Sequence, residues 1–310
     1  MQSFRINYYC LFLPIFKPPM QRPALTPTLT HAARPATYEV DALNEKGERV
    51  PTPVAGEHPL TLYLDKREVV TLMTLGGAPE ALAIGYLRNQ RIVPSLDDIE
   101  AVQVDWETDC VVVTTRGRDF WERSNLEARM GKRTVTTGCG QGTVFGDLMD
   151  EIDAVNLPAA ARLTEETLYA VMNNVRKYES IYKQAGAVHG CALCSNTGDD
   201  PATGRGEILM FVEDVGRHNA VDAIAGQMWL DGQDGGDKIF YTTGRLTSEM
   251  VIKCAQMGIP FLLSRSGLTH MGHEIAKKVG ITMVGRCQGK HYLLFTGGER
   301  FVKRKETLVA

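Results

Sequence analysis

Ile208-Leu209-Met210-Phe211-Val212-Glu213-Asp214-Val215-Gly216-Arg217-His218-Asn219-Ala220-Val221-Asp222 is the stretch on which the reading of the fold turns. Ile208–Val212 is an apolar run of strand length, and a glycine-containing turn leads from it to Arg217. Asn219 then stands as a helix cap, with Asp222 three residues on and Val221, Ile224, Ala225 and Met228 at helical spacing. The same cadence returns three times. Ile239–Tyr241 leads through Thr242-Thr243-Gly244 to Arg245, Phe261–Leu263 through Ser264 to Arg265, and Ile281–Val284 through Gly285 to Arg286. Met250, Val251, Cys254 and Met257 mark a second helix opened by Thr247 or Ser248, and Met271, Ile275 and Val279 a third opened by Thr269. Apolar strands alternating with amphipathic helices predict β-α-β-α-β-α-β and a mostly parallel sheet. In such a sheet every carboxyl end lies on one edge, where ligands of open α/β sheets bind. Four guanidiniums there, beside helix N-termini that favour anions, suit a large ligand carrying several phosphates. Taken singly, each arginine also reads as a solvated loop residue or a partner for Asp214 or Glu249.

The 310 residues suffice for one large or two modest domains, and 44% hydrophobic with 23% charged residues describes an ordinary globular protein. A formal net charge of −3 argues against general nucleic-acid binding, which draws on a broad excess of lysine and arginine. No apolar run approaches the roughly 20 residues that span a bilayer. Tyr8–Phe16, after Arg5, faintly resembles a signal peptide, but Pro14 interrupts it and Lys17 follows at once. A start assigned upstream of the true one accounts for it as well as targeting does, and the protein reads as cytoplasmic. Seven cysteines, an odd number, do not form a secreted disulfide framework. Cys110 and Cys254 fall in apolar patterns, as small buried hydrophobes do.

The boundaries read as follows. Residues 1–37, rich in proline, form a disordered leader, 38–130 a small α+β lobe, 131–302 the α/β domain, and 303–310 a tail. In the small lobe, Leu60–Leu64 and Val69–Thr74 read as a hairpin, Pro79 opens a helix, and Ala101–Val104 with Cys110–Thr114 make a second strand pair. Thr164 caps a strong amphipathic helix whose first turn holds Glu165 and Glu166.

Three motifs offer chemistry. Thr137-Gly138-Cys139-Gly140-Gln141-Gly142 sets one thiol among glycines, which leave Sγ open to an incoming sulfur. A free thiol with a pKa of about 8.5 needs positive charge to become a thiolate, and Lys132 and Arg133 are near in sequence. The other reading is an ordinary loop cysteine. His189-Gly190-Cys191-Ala192-Leu193-Cys194 reads as half a zinc site, a dithiol redox pair, or two small residues on a buried strand. No second ligand pair completes a zinc site, and neither the zinc-deaminase nor the zincin pattern occurs. Asp214 to Asn219 packs an acid, a glycine, two basic groups and an amide into one turn, where His218 reads as a phosphate donor or an acid/base group.

Taken together, Thr137-Gly138-Cys139-Gly140, Val188-His189, Glu213–Asp222, Gly244-Arg245, Ser248-Glu249-Met250-Val251 and Val284-Gly285 resemble the formate dehydrogenase accessory sulfurtransferases over roughly residues 50–297. The resemblance implies a two-lobed α/β protein whose larger domain is cytidine-deaminase-like without the zinc, and a homodimer. It implies that persulfide sulfur is taken from a cysteine desulfurase and passed to the bis-guanine-dinucleotide molybdenum cofactor before insertion into formate dehydrogenase. By position it makes Cys139 the persulfide cysteine and Arg286, Cys287, Gln288, Gly289, Lys290 and His291 the cofactor-binding segment. Arg217, His218, Arg245 and Arg265 complete the expected cofactor contacts. Relatives commonly read Cys-Gly-x-Cys-Gly in the loop, and here Gly142 replaces the second cysteine. Two other readings stay open: a cofactor-binding chaperone without sulfur chemistry, and a redox protein using Cys191 and Cys194.

Overall fold

The computed structural model describes residues 25–117, 120–121, 134–135, 142–143, 152, 155–196 and 205–304. Residues 25–37, expected within a disordered leader, are instead part of the fold. β1 (Thr28–Leu29) is a sheet strand, and Trp106 Nε1 donates to the Ala32 carbonyl at 2.6 Å. Partners far along the chain supply the order that the proline-rich composition does not suggest. β2 (Thr37–Leu43) and β3 (Arg49–Ala55) form an exposed antiparallel hairpin. β4 (His58–Leu64) and β5 (Arg67–Thr74) form the hairpin expected there, turning at Asp65-Lys66. α1 (Pro79–Asn89) opens on proline, whose missing N–H costs nothing in a first turn. β6 (Ile99–Asp105) and β7 (Cys110–Thr115) complete a five-stranded sheet of order β1-β6-β7-β4-β5. Leu60, Leu62 and Leu64 alternate inward onto Leu82 and Leu87 of α1.

A short antiparallel pair, β8 (Thr134–Val135) and β9 (Gly142–Thr143), leads on to β10 (Leu163–Thr164). Thr164 caps α2 (Glu165–Lys177) as expected, its Oγ1 accepting from Thr167 N at 3.1 Å. α3 (Ile181–Ala185) is a single short turn. Then come β11 (His189–Ser195), β12 (Ile208–Asp214), α4 (Arg217–Leu230), β13 (Lys238–Thr242), α5 (Ser248–Gln256), β14 (Phe261–Ser264), α6 (His270–Val279), β15 (Thr282–Gln288), β16 (His291–Thr296) and β17 (Phe301–Val302). Among the described residues no helix is long and apolar enough to cross a membrane.

The six-stranded sheet, ordered β12-β11-β13-β14-β15-β16, is mixed rather than mostly parallel. The cause is β11, which inserts antiparallel to both β12 and β13, and β16, which folds back antiparallel on β15. Because β11 reverses twice, β12 still runs in the same direction as β13, β14 and β15. The strand ends that deliver Arg217, Arg245 and Arg265 therefore share one edge, where β11 begins with His189, while Arg286 lies within β15 rather than past its end.

α4 lies between the sheets. Its Val221, Ile224 and Ala225 enter the core of the large sheet, while Ala223 enters that of the small lobe. Its N-cap is Gly216, three residues before the expected Asn219, whose side chain instead donates to Asp214 and the Met73 carbonyl. α1 crosses it with backbones in contact: a Cβ on Gly85 would lie 1.7 Å from the Asp222 carbonyl oxygen, and one on Gly226 1.9 Å from that of Ala81. In the same layer Lys253 Nζ reaches Asp222 at 2.9 Å and Glu249 at 3.4 Å, and Asn89 Nδ2 donates to Asp222 at 2.7 Å. Burial opposes the charge on Lys253, but the two carboxylates outweigh it and raise its pKa. Cys254 is buried as expected, whereas Cys110 is only partly so. Met271, expected with Ile275 and Val279 at spacings of four along α6, is exposed at the first turn, and Ile275, Ala276 and Val279 face the core.

Candidate functional site

The loops at the shared edge are held by short side chains that cap the strands. Thr242 Oγ1 accepts from Gly244 N at 3.0 Å, and Ser264 Oγ donates to the Gly244 carbonyl at 2.6 Å while accepting from Ser266 N at 2.8 Å. Gly190 N donates to Thr243 Oγ1, and Thr243 N to the Gly190 carbonyl, so the start of β11 is tied to the end of β13. Leu246 bridges to Leu268, which zips the two loops together. Thr269 caps its helix as expected, its Oγ1 accepting from Gly272 N, whereas Thr247 stands at the N-cap of α5 without a side-chain cap hydrogen bond.

On this base three of the four arginines converge. Arg217, Arg245 and Arg265 all act electrostatically on His189, whose pKa is lowered first by partial burial and then by their charges. The stem of Arg217 runs over Gly244, where a Cβ would stand 2.5 Å from Arg217 Cδ. That glycine is thus required by the arginine it faces. Arg245 and Arg265 are exposed, whereas Arg217, expected among the phosphate contacts, is buried at 6% exposure.

Arg286 continues the line on β15, held by its N–H to the Ser266 carbonyl at 2.8 Å. It sits at φ 54°, a left-handed conformation that costs a residue with a Cβ about 1–2 kcal/mol. Gln288, Gly289, Lys290 and His291 form the exposed β15–β16 turn, farther along the same hairpin, where the Lys290 carbonyl accepts from Tyr169 Oη. Cys287 departs from the expectation of a cofactor contact. Its side chain is 3% exposed, packs among Leu263, Tyr241 and Val284, and burial raises its thiol to about 12.

The Asp214–Asn219 turn distributes its groups in opposite directions. Asp214 accepts from Thr74 Oγ1 at 2.5 Å and Leu75 N at 3.1 Å in the small lobe, and from Gly216 N and Asn219 Nδ2 in its own turn. Asn219 also donates to the Met73 carbonyl at 2.7 Å. His218 points inward, 3% exposed and 3.5 Å from Glu249, so it adjoins the edge without opening onto it. Burial lowers its pKa to about 3, with Lys253 and Arg217 adding to the effect and Glu249 opposing it. The turn therefore locks the two lobes together, with Asp214, Arg217, His218 and Asn219 all buried.

Cys191 and Cys194 do not form a dithiol pair. Cys191 lies in the core cluster under α4 and α5, and Cys194 in the cluster on the other face of the sheet. Three strand residues apart, their Cα atoms are separated by about 10 Å, beyond disulfide reach. Burial raises both thiols to about 12. Among the described residues no three His, Cys, Asp or Glu side chains gather as metal ligands would. Cys139 and its loop partners through Gln141 lie outside the described residues.

Sequence reading assigned no role to Glu213 or Tyr182. Glu213 accepts from Ile181 N at 2.5 Å and Tyr182 N at 3.1 Å, fastening α3 above the edge, and Tyr182 stacks on Arg265. Their separation of some thirty residues leaves no local signal.

The FdhD/NarQ family matches residues 55–302. A protein of Listeria monocytogenes serotype 4b (strain F2365) named sulfur carrier protein FdhD is 31% identical over 255 residues, covering 82% of this chain and 93% of the relative. One of Bacillus subtilis (strain 168) with the same name is 27% identical, covering 85% and 94%. The crystal structure of a formate dehydrogenase accessory protein from Desulfotalea psychrophila superposes with a TM-score of 0.63 at 25% identity, covering 86% of this chain and 98% of that one.

Proposed function

Because the chain belongs to the FdhD/NarQ family, we propose that it is a sulfur carrier serving formate dehydrogenase. Its Cys139 thiolate attacks the sulfane sulfur of a cysteine desulfurase persulfide, forming the Cys139 persulfide and releasing the donor thiolate. The acceptor is the molybdenum cofactor in its bis-guanine-dinucleotide form, bound as a substrate by its phosphates before it is inserted into formate dehydrogenase. The chain acts as a cytoplasmic homodimer. The observation that carries this reading is the strand register, which sets the turns bearing Arg217, Arg245 and Arg265 side by side at the carboxyl edge next to His189. Guanidiniums fixed by strand ends suit phosphate oxygens, and Arg286 and Lys290 extend the basic line for a second nucleotide half. A neutral His189 leaves the cluster's positive charge to the arginines.

Incubation with a cysteine desulfurase and cysteine adds about 32 Da, the mass of one sulfur, and dithiothreitol removes it. Cys139→Ser loses both the adduct and activation of formate dehydrogenase while staying folded. An adduct that persists in the variant moves the carrier role to another cysteine. A wild type that takes no sulfur yet supports formate dehydrogenase makes the protein a cofactor chaperone instead.

A further inference from the structure

The β2–β3 hairpin is a two-stranded sheet of its own, and one of its faces is largely apolar and half open to solvent. Its register sets Tyr38 opposite Val54, Val40 opposite Thr52 and Ala42 opposite Val50, so these side chains share one side. Tyr38, Val40 and Val50 are 41%, 43% and 41% exposed. A two-stranded hairpin gains little stability by itself, and a contiguous exposed apolar row marks a contact surface. The face is fixed at its base, where Tyr38 Oη meets His58 Nε2 at 3.1 Å and the two rings stand edge to face. Two features say what covers it. Five carboxylates and two cations lie between Glu39 and Glu57, so the rim is acidic although the neighbouring edge carries arginines. β3 packs against α3, whose Tyr182 stacks on Arg265, so the hairpin comes up to that edge while Arg245 and Arg265 stay exposed.

We infer that this face seats the sulfur-donor protein, through an apolar patch with a basic rim. The inference rests on the carrier reading above and adds where the donor docks. A second copy of this chain fits poorly, since a two-fold axis through the hairpin would set its carboxylates against their own copies. The client dehydrogenase takes up the cofactor and must reach the arginine edge itself. A donor hands over one sulfur atom and needs a seat clear of that edge, which the hairpin provides. Opposite charges on hairpin and edge let a basic protein and an anionic ligand be held at once.

Calorimetric titration with a cysteine desulfurase reads the seat, and intact mass reads the sulfur. Wild type binds the desulfurase, more weakly as salt rises. Val40→Lys puts a cation into the apolar face and weakens binding by about 10-fold or more. The double variant Glu39→Lys, Glu45→Lys, which reverses two exposed carboxylates, lowers affinity and flattens its salt dependence. Both variants take sulfur from glutathione persulfide as wild type does, its sulfane sulfur bonding to Cys139 while glutathione leaves as the thiolate. Unchanged desulfurase affinity in either variant, or a wild type that does not bind the desulfurase, overturns the seat and leaves the carrier reading to the mass measurement. Slower loading from glutathione persulfide in both variants also overturns it, since the hairpin would then act through the fold. A change of sedimenting mass in Val40→Lys assigns the face to a second copy and overturns the donor seat as well. A wild type that binds the desulfurase as described yet takes sulfur from neither donor removes the carrier and keeps the seat.

Discussion

His218 shows how little a residue's chemistry reveals its task until its neighbours are known. Beside Arg217 in sequence it reads as a phosphate ligand, whereas the fold turns it inward onto Glu249. Its pKa is about 3 in the fold, against about 6.5 for an unfolded imidazole. Below pH 6.5 the unfolded chain therefore binds a proton that the fold refuses. The stabilisation is complete above that pH and is lost as the pH falls towards 3. Denaturation of wild type and His218→Gln between pH 6.5 and 4 is expected to show the steeper loss in wild type, by up to about 1.4 kcal/mol per pH unit. Equal slopes would refute a neutral buried His218. Arg286 separates strain from binding in the same way. Arg286→Gly relieves the positive φ but frees the unfolded chain, so stability is expected to stay level or rise by up to about 1 kcal/mol. GDP affinity falls nonetheless, and a variant that melts early would show that the side chain is structural. The arginine positions were legible because strand, turn and arginine are contiguous. The inward turn of His218 was not, because Glu249 belongs to another helix.

At the scale of elements, α4 is the instructive case. Its inward stripe was readable, but it is buried around most of its circumference, and a helix enclosed on two sides has no polar face to reveal which partner covers which side. The close approach of α1 depends on Gly85 and Gly226, two glycines about 140 residues apart that nothing local connects. Gly226→Ala places a methyl group 1.9 Å from the Ala81 oxygen and 2.8 Å from Gly85 N, both backbone atoms. The helices must separate, at a cost of about 3 kcal/mol or more. Gly77→Ala, with open space at its Cβ, serves as the control and is expected to melt near wild type. If Gly226→Ala matched it, the helix contact would be looser than described. β11 was legible as a strand from its apolar run, yet its antiparallel insertion was not. Residues buried on both faces give no clue to direction, and the neighbours that set it lie about 20 and 50 residues onward.

The whole molecule is bound through the layer shared by both lobes. Asp214 takes hydrogen bonds from Thr74 and Leu75, and Asp222 joins Asn89 to Lys253. Trp106 and Trp121 report on the small lobe, Trp229 on α4. Their fluorescence and far-ultraviolet dichroism are expected to change at one denaturant concentration, as a single cooperative unit requires. Two separated transitions would show that the lobes unfold independently. Lys253→Met leaves two carboxylates buried without their cation, a change expected to cost about 3–5 kcal/mol and to shift both signals together. A small shift would mean that water reaches the site. The large sheet's far face has a different dependence. β10 pairs with β17, Leu163 opposite Phe301, and Glu165 at the start of α2 accepts from Tyr292 Oη and Arg304 N. The seat of a helix made halfway along the chain is thus supplied by residues made near its end. At a synthesis rate of about 5–20 residues per second, α2 precedes the last of its docking partners by on the order of ten seconds. During that interval Leu163 lacks its partner strand and Glu165 its two donors, so the start of the helix is the last part of it to be fastened.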